Sequence, residues 1–168
     1  NKKKYWVFFG IFSALGFLSK YLFIYLLAAL FIYFIFHFKK FKKIYPNYLL
    51  SLIISLIMLV PHFIWLFDNN FVTIFYGLNR SGLSNFVFTD HLTNPLIFLI
   101  KQMIILLPFF AMIFFITKKG KIRISFKDKN TQFLLAINLI PFFLILITSI
   151  ITGAKIRTMW MTPFYLFL

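Results

Sequence analysis

The stretch Gly16-Phe17-Leu18-Ser19-Lys20-Tyr21 decides how this chain folds. It sets one lysine in the middle of a very apolar run from Tyr5 to Phe38. A helix needs about 20 apolar residues to cross about 30 Å of hydrocarbon. Tyr5–Leu18 falls short of that and Tyr21–Phe38 nearly reaches it. The run is therefore either one over-long helix or a hairpin that bends at Ser19-Lys20. Flanking charge separates the two. Lys2–Lys4 precede the run, and Lys39, Lys40, Lys42 and Lys43 follow it. A hairpin leaves both groups on one side of a membrane, whereas a single helix splits them, so the orientation rule for basic residues favours the hairpin. Gly16 is the one residue near the bend that loosens a helix.

Composition points the same way. Of 168 residues, 62% are hydrophobic and 12% charged, with 27 Phe. Soluble domains are about half apolar and about a quarter charged, and a soluble fold of this size has too little interior for so much apolar surface. The expected class is all-α: a polytopic transmembrane helical bundle of about five full spans plus a truncated sixth, resting on span length. We read residues 1–168 as a single transmembrane domain and as an internal piece of a longer protein, since Met is absent at the start and the last apolar run stops at Leu168. There is no cysteine, so no thiolate chemistry or Cys-based metal site is available.

Net charge is +15, from 18 Lys and Arg against Asp68, Asp90 and Asp128. The cations form short runs between apolar stretches instead of covering a face. That is the pattern of an oriented membrane protein, not of a nucleic-acid surface. Three clusters, Lys2–Lys4, Lys39–Lys43 and Lys118–Lys129, fall on one side under one alternating topology and hold 13 of the 18 cations. This side is expected to be cytoplasmic, with the protein integral to a bacterial plasma (inner) membrane. The abundance of Phe, Ile, Lys and Asn fits an AT-rich bacterial genome.

Along the chain, Gly10 and Ala14 lie four apart beside Ser13, the small-residue spacing that lets another helix approach closely. Tyr48–Phe67 is a full span interrupted by Pro61, with His62 next to it as a local donor and Trp65 at the interfacial belt. From Asp68 to Pro95 the sequence turns polar and carries one cation, which places it outside. Within it, Phe71–Leu78 predicts a short helix lying on the bilayer. Leu96–Thr117, with Lys101, Gln102 and Pro108, returns inward, and Thr131–Gly153, with Pro141, crosses outward again. Gly153-Ala154-Lys155-Ile156-Arg157 makes a short outer turn, and Met159–Leu168 starts the truncated span.

No phosphate loop, HExxH helix, nucleophile elbow or carboxylate pair is present. Asp90-His91 is the one acid–histidine neighbour pair; Asp90, Thr93 or Asn94 reads more simply as a helix cap with Pro95 at the first helical position. The chemistry-bearing set is basic. Lys20, Arg80, Lys101, Lys155 and Arg157 remain on or near the outer side against the orientation rule, and a bound anion accounts for that. Arginine holds a phosphate bidentately and lysine holds it as a point charge.

These residues also carry a resemblance. Gly16-Phe17-Leu18-Ser19-Lys20-Tyr21 resembles the "G-L/F-L-S/T-K" segment of bacterial GT-C glycosyltransferases, the relatives of dolichyl-phosphate-mannose–protein mannosyltransferases and of the lipid A aminoarabinose transferase. Val60-Pro61-His62-Phe63-Ile64-Trp65 is similar to the "P-x-x-x-W" end of a later span, and Phe71–Arg80 to the outer segment after it. Asn94-Pro95-Leu96 through Pro108, and Lys155 through Trp160 and Pro163, resemble the remaining shared segments.

The resemblance implies a membrane enzyme of the cell envelope. Such an enzyme moves a sugar from a polyprenyl-phosphate donor to a lipid, glycan or protein acceptor at the outer face. It implies that Lys20 and Arg80 hold the lipid phosphate. Lys155 and Arg157 join them as candidates for lipid-phosphate or substrate binding. It places the catalytic acid in a first outer loop to which nothing in this sequence corresponds, so the general base is expected outside residues 1–168. A divalent metal in the complete enzyme stays an open question. The rival readings are a secondary transporter or lipid flippase, which would place ionisable groups at mid-membrane within repeated halves, and a non-enzymatic membrane subunit.

Overall fold

The computed structural model describes residues 2–37, 45–82, 87–119, 126 and 128–161. The Lys39–Lys43 cluster, most of the basic segment between Lys119 and Asp128, and the truncated span beyond Met161 lie outside the described residues. Among the described residues six α-helices follow one another: α1 Lys2–Ser19, α2 Phe23–Phe36, α3 Tyr45–Asp68, α4 Val72–Arg80, α5 Asp90–Lys119 and α6 Lys129–Thr152. A short 3₁₀ turn at Thr158–Trp160 comes last. The described residues contain no strand, as expected of an all-α membrane chain.

Three helices, α3, α5 and α6, are long and apolar enough to cross a membrane. At 24, 30 and 24 residues they reach about 36 Å or more at about 1.5 Å per residue, against about 30 Å of hydrocarbon. α1 has 18 residues, three of them lysine, and α2 has 14. Pro61, Pro95, Pro108 and Pro141 all sit inside helices.

The chain forms two compact units, Asn1–Gly77 and Leu78–Leu168. In the first, α1 stops at Ser19 and α2 starts at Phe23. Trp6 near the start of α1 meets Phe34 near the end of α2 (ring centroids 6.3 Å apart), so the two run antiparallel. The bend expected at Ser19-Lys20 is therefore a hairpin and not one long helix. α3 then lies parallel to α1. Trp6 and Phe34 both pack on Tyr48 at its start.

The spacing of small residues explains how closely α1 and α3 approach. The hydroxyl of Ser55 donates to the Gly10 carbonyl at 2.7 Å. A Cβ added to Gly10 would come within 2.6 Å of the Ser51 carbonyl oxygen. Ser13, Ala14, Ser51 and Ser55 are buried. Without a hydrophobic drive between helices in lipid, close backbone approach and interhelical hydrogen bonds supply the association.

α3 ends in a Schellman turn. Asn70 N–H bonds the Phe67 carbonyl at 3.3 Å and Phe71 N–H bonds the Leu66 carbonyl at 2.8 Å. Asn70 takes the left-handed conformation (φ 51°) that asparagine tolerates better than most side chains. Phe71 is also left-handed (φ 54°), a strained state for a bulky residue, and Phe67 packs edge-on against its ring at 4.9 Å. The turn launches α4, whose exposed Val72, Phe75 and Tyr76 match the short surface helix read from the sequence.

In the second unit α5 and α6 pair antiparallel, with Phe98 stacked on Phe142 at 5.8 Å. Phe98, Gln102, Pro141, Ile145 and Ser149 are almost fully enclosed. Asp128 caps α6 by accepting from Thr131 N–H at 3.1 Å. α5 begins at Asp90 instead of near Pro95. The Asp90 carboxylate accepts from Val87 N–H at 2.9 Å and closes the entering turn. Thr93 and Asn94 are already inside the helix, so they are not its caps.

Candidate functional site

Lys20 sits where the helical pattern is released. Its N–H still bonds the Gly16 carbonyl at 3.1 Å, and the Ser19 hydroxyl donates to the same carbonyl at 2.8 Å. The Lys20 carbonyl accepts from Phe23 N–H at 2.9 Å, which opens α2. Gly16 lets the bend close, because Phe23 packs its ring where a Cβ would stand, 2.7 Å away. The Lys20 side chain is exposed. Its ammonium has no hydrogen-bond or ion-pair partner among the described residues, so it is free to take an external anion.

The bend is fastened by the next residue. The Tyr21 hydroxyl lies 2.9 Å from His62 Nε2 on α3 and 2.8 Å from Thr73 Oγ1 on α4. Phe17 packs against the Tyr21 ring at 5.3 Å, and Trp65 stacks on His62 at 6.0 Å with 14° between planes. Three stretches far apart in sequence meet at this point: the one ending in Lys20-Tyr21, the one reading Pro61-His62 through Trp65, and the start of α4. His62 is used across helices and not, as the sequence suggested, at the carbonyl that Pro61 releases.

The second group of cations lies in the second unit. Arg80 ends α4 and is exposed, a favourable place for a cation on the helix dipole. The following Ser81 is buried, and its carbonyl accepts from Lys155 N–H at 2.8 Å. Two residues distant in sequence are thereby joined, and Lys155 is brought beside the residue that follows Arg80. Gly153 holds the turn with φ 69°. Around it, His91 Nδ1 lies 2.8 Å from the Ile150 carbonyl, and the Asn94 amide donates to the Gly153 carbonyl at 2.8 Å. The Ser149 hydroxyl donates to the Ala154 carbonyl, also at 2.8 Å. Lys155 and Arg157 are exposed on this turn. Asp90 and His91, the neighbour pair of the sequence, are thus divided between two structural tasks. Lys101 is exposed on α5, with Gln102 beside it turned into the helix pair.

The sequence named the cations but not the groups that place them. The bonds from Tyr21 to His62 and Thr73, and from Lys155 to Ser81, have no local signature. The one hint was an ionisable side chain, His62, inside an apolar span, which is a default suspect.

Residues 1–65 match the family model described as dolichyl-phosphate-mannose-protein mannosyltransferase. The match contains the Lys20 bend and runs through Trp65. This stretch is similar to that mannosyltransferase family. That likeness fits the GT-C resemblance read from the residues around Lys20. Beside that likeness over residues 1–65, the described residues hold three helices of membrane-crossing length. The searches of curated proteins and of solved structures gave no match.

Proposed function

We propose that this chain is the lipid-binding part of a GT-C glycosyltransferase in a bacterial plasma membrane. In this reading the complete enzyme moves a sugar from a polyprenyl-phosphate donor to a lipid, glycan or protein acceptor at the outer face. The observation that carries it is the family match over residues 1–65, with a lysine at its bend that has no side-chain partner among the described residues. Lys2–Lys4, Lys39–Lys43 and Lys118–Lys129 face the cytoplasm under this proposal, in keeping with the orientation rule.

Lys20 is assigned to the donor phosphate. The Lys20 bend and the cluster Lys3–Lys4 lie at opposite ends of α1, which suits a lysine at the outer interface. An ammonium there stabilises the bound lipid, and it stabilises more strongly the negative charge that the phosphate gains as the glycosidic bond breaks. Arg80, with Lys155 and Arg157, is assigned to phosphate contact as well, Arg80 through bidentate hydrogen bonding. The general base is assigned to residues outside 1–168, and neither Asp68 nor Asp90 takes its place.

Charge reversal tests the assignment of Arg80. Arg80→Glu in the full-length enzyme should abolish sugar transfer while membrane insertion and expression stay normal. Transfer at the wild-type rate would remove Arg80 from the site.

A further inference from the structure

We infer that His62 and Tyr21 are positioning residues for Lys20, acting on the lipid phosphate through the bend and not by touching it. The inference rests on the assignment of Lys20 made above. Lys20 is exposed, and it is the first residue after α1, where the chain reverses. Nothing bonds its side chain among the described residues. The direction of the ammonium is therefore set by the bend, and the bend's side-chain tether to the rest of the unit is the adjacent Tyr21.

The tether has a definite chemistry. A phenol has one proton and can also accept, an imidazole nitrogen does one or the other, and a threonine hydroxyl does both. The chain His62–Tyr21–Thr73 is satisfied in two senses. Either Thr73 donates to Tyr21 and Tyr21 to His62, or His62 donates to Tyr21 and Tyr21 to Thr73. The distances of 2.9 and 2.8 Å fit both. His62 is in turn clamped by the parallel face of Trp65. The bend is thus pinned to α3 and to the start of α4 at one oxygen atom. Removing that oxygen frees the bend without altering any apolar packing, because the ring contacts of Tyr21 with Phe17 and His62 survive in phenylalanine.

The test uses the full-length protein in detergent micelles and a radiolabelled polyprenyl monophosphate as the probe. Lys20→Gln should weaken binding at least about tenfold, the loss of one charge-assisted contact. Tyr21→Phe and His62→Ala should each weaken it about three- to tenfold, less than the loss of the charged contact they orient. His62→Gln, whose amide can stand near the same Nε2 position and either donate or accept, should restore wild-type binding. In the Lys20→Gln background, Tyr21→Phe should add nothing.

Wild-type binding by Tyr21→Phe and His62→Ala, with Lys20→Gln impaired, overturns the positioning role and leaves the phosphate assignment intact. Equal losses from Tyr21→Phe with and without Lys20 also overturn it, since a general structural defect behaves that way. Wild-type binding by Lys20→Gln overturns the phosphate assignment itself.

Discussion

The two basic turns of this protein are built differently. At Lys20 the turn is fastened by side chains bonded to side chains, Tyr21 to His62 and to Thr73. At Lys155 several fastening bonds end on main-chain carbonyls, among them those of Ser81, Ile150, Gly153 and Ala154. One oxygen carries the first turn's side-chain bonds to α3 and α4, while the second turn is held by several independent bonds. A single substitution should therefore matter more at Lys20's turn than at Lys155's, where the remaining bonds still define the backbone path.

The same contrast holds for the glycines. Gly10 faces backbone that cannot move without separating α1 from α3. Gly16 faces the far end of the Phe23 ring, which can rotate away. Gly153 has room for a Cβ, 3.5 Å from His91 Nε2, but holds a left-handed backbone.

These differences order the expected effects. The largest should come from Gly10→Ala. Forcing a methyl against the Ser51 carbonyl overpacks the α1–α3 contact at about 1–3 kcal/mol, read as a lower unfolding temperature of the purified protein in detergent. Little change would mean that the two helices are less closely held than the Ser55–Gly10 bond implies. Gly153→Ala should cost about 1–2 kcal/mol, the penalty of a left-handed alanine, by the same measurement. Tyr21→Phe should cost about 1 kcal/mol for its two shared hydrogen bonds. Asn94→Ala, which removes one bond of several at the other turn, should cost about half of that on the same scale. If the Asn94 variant lost more than the Tyr21 variant, the contrast between the turns would be wrong. The smallest effect, below that of the Asn94 variant, is expected from Gly16→Ala, because a ring and not a backbone must give way.

Much of the architecture was legible from local sequence. The apolar runs set the class, because few other arrangements satisfy backbone polar groups in lipid. The charge flanks of Tyr5–Phe38 favoured a bend, and the small residues at Gly10, Ser13 and Ala14 marked a face that another helix could approach closely. The segment after Phe71 was recognisable as a short surface helix from its aromatic residues. Other features were not legible because they depend on contacts between distant residues. Pro95 suggested a helix start, yet Asp90 begins α5 by binding Val87 N–H, one turn earlier. The left-handed pair Asn70-Phe71 carries no glycine to announce it. The partners of Tyr21, 41 and 52 residues away, become visible only when α1, α3 and α4 are assembled.

The central claim is that the exposed lysine at the bend serves a lipid phosphate. Sugar transfer from a polyprenyl-phosphate donor by the full-length enzyme carrying Lys20→Gln tests it most directly, with insertion checked in the same membranes. We expect transfer to fall at least about a hundredfold, as charge stabilisation of the leaving phosphate is lost. Transfer at the wild-type rate by a fully inserted Lys20→Gln enzyme would contradict the claim.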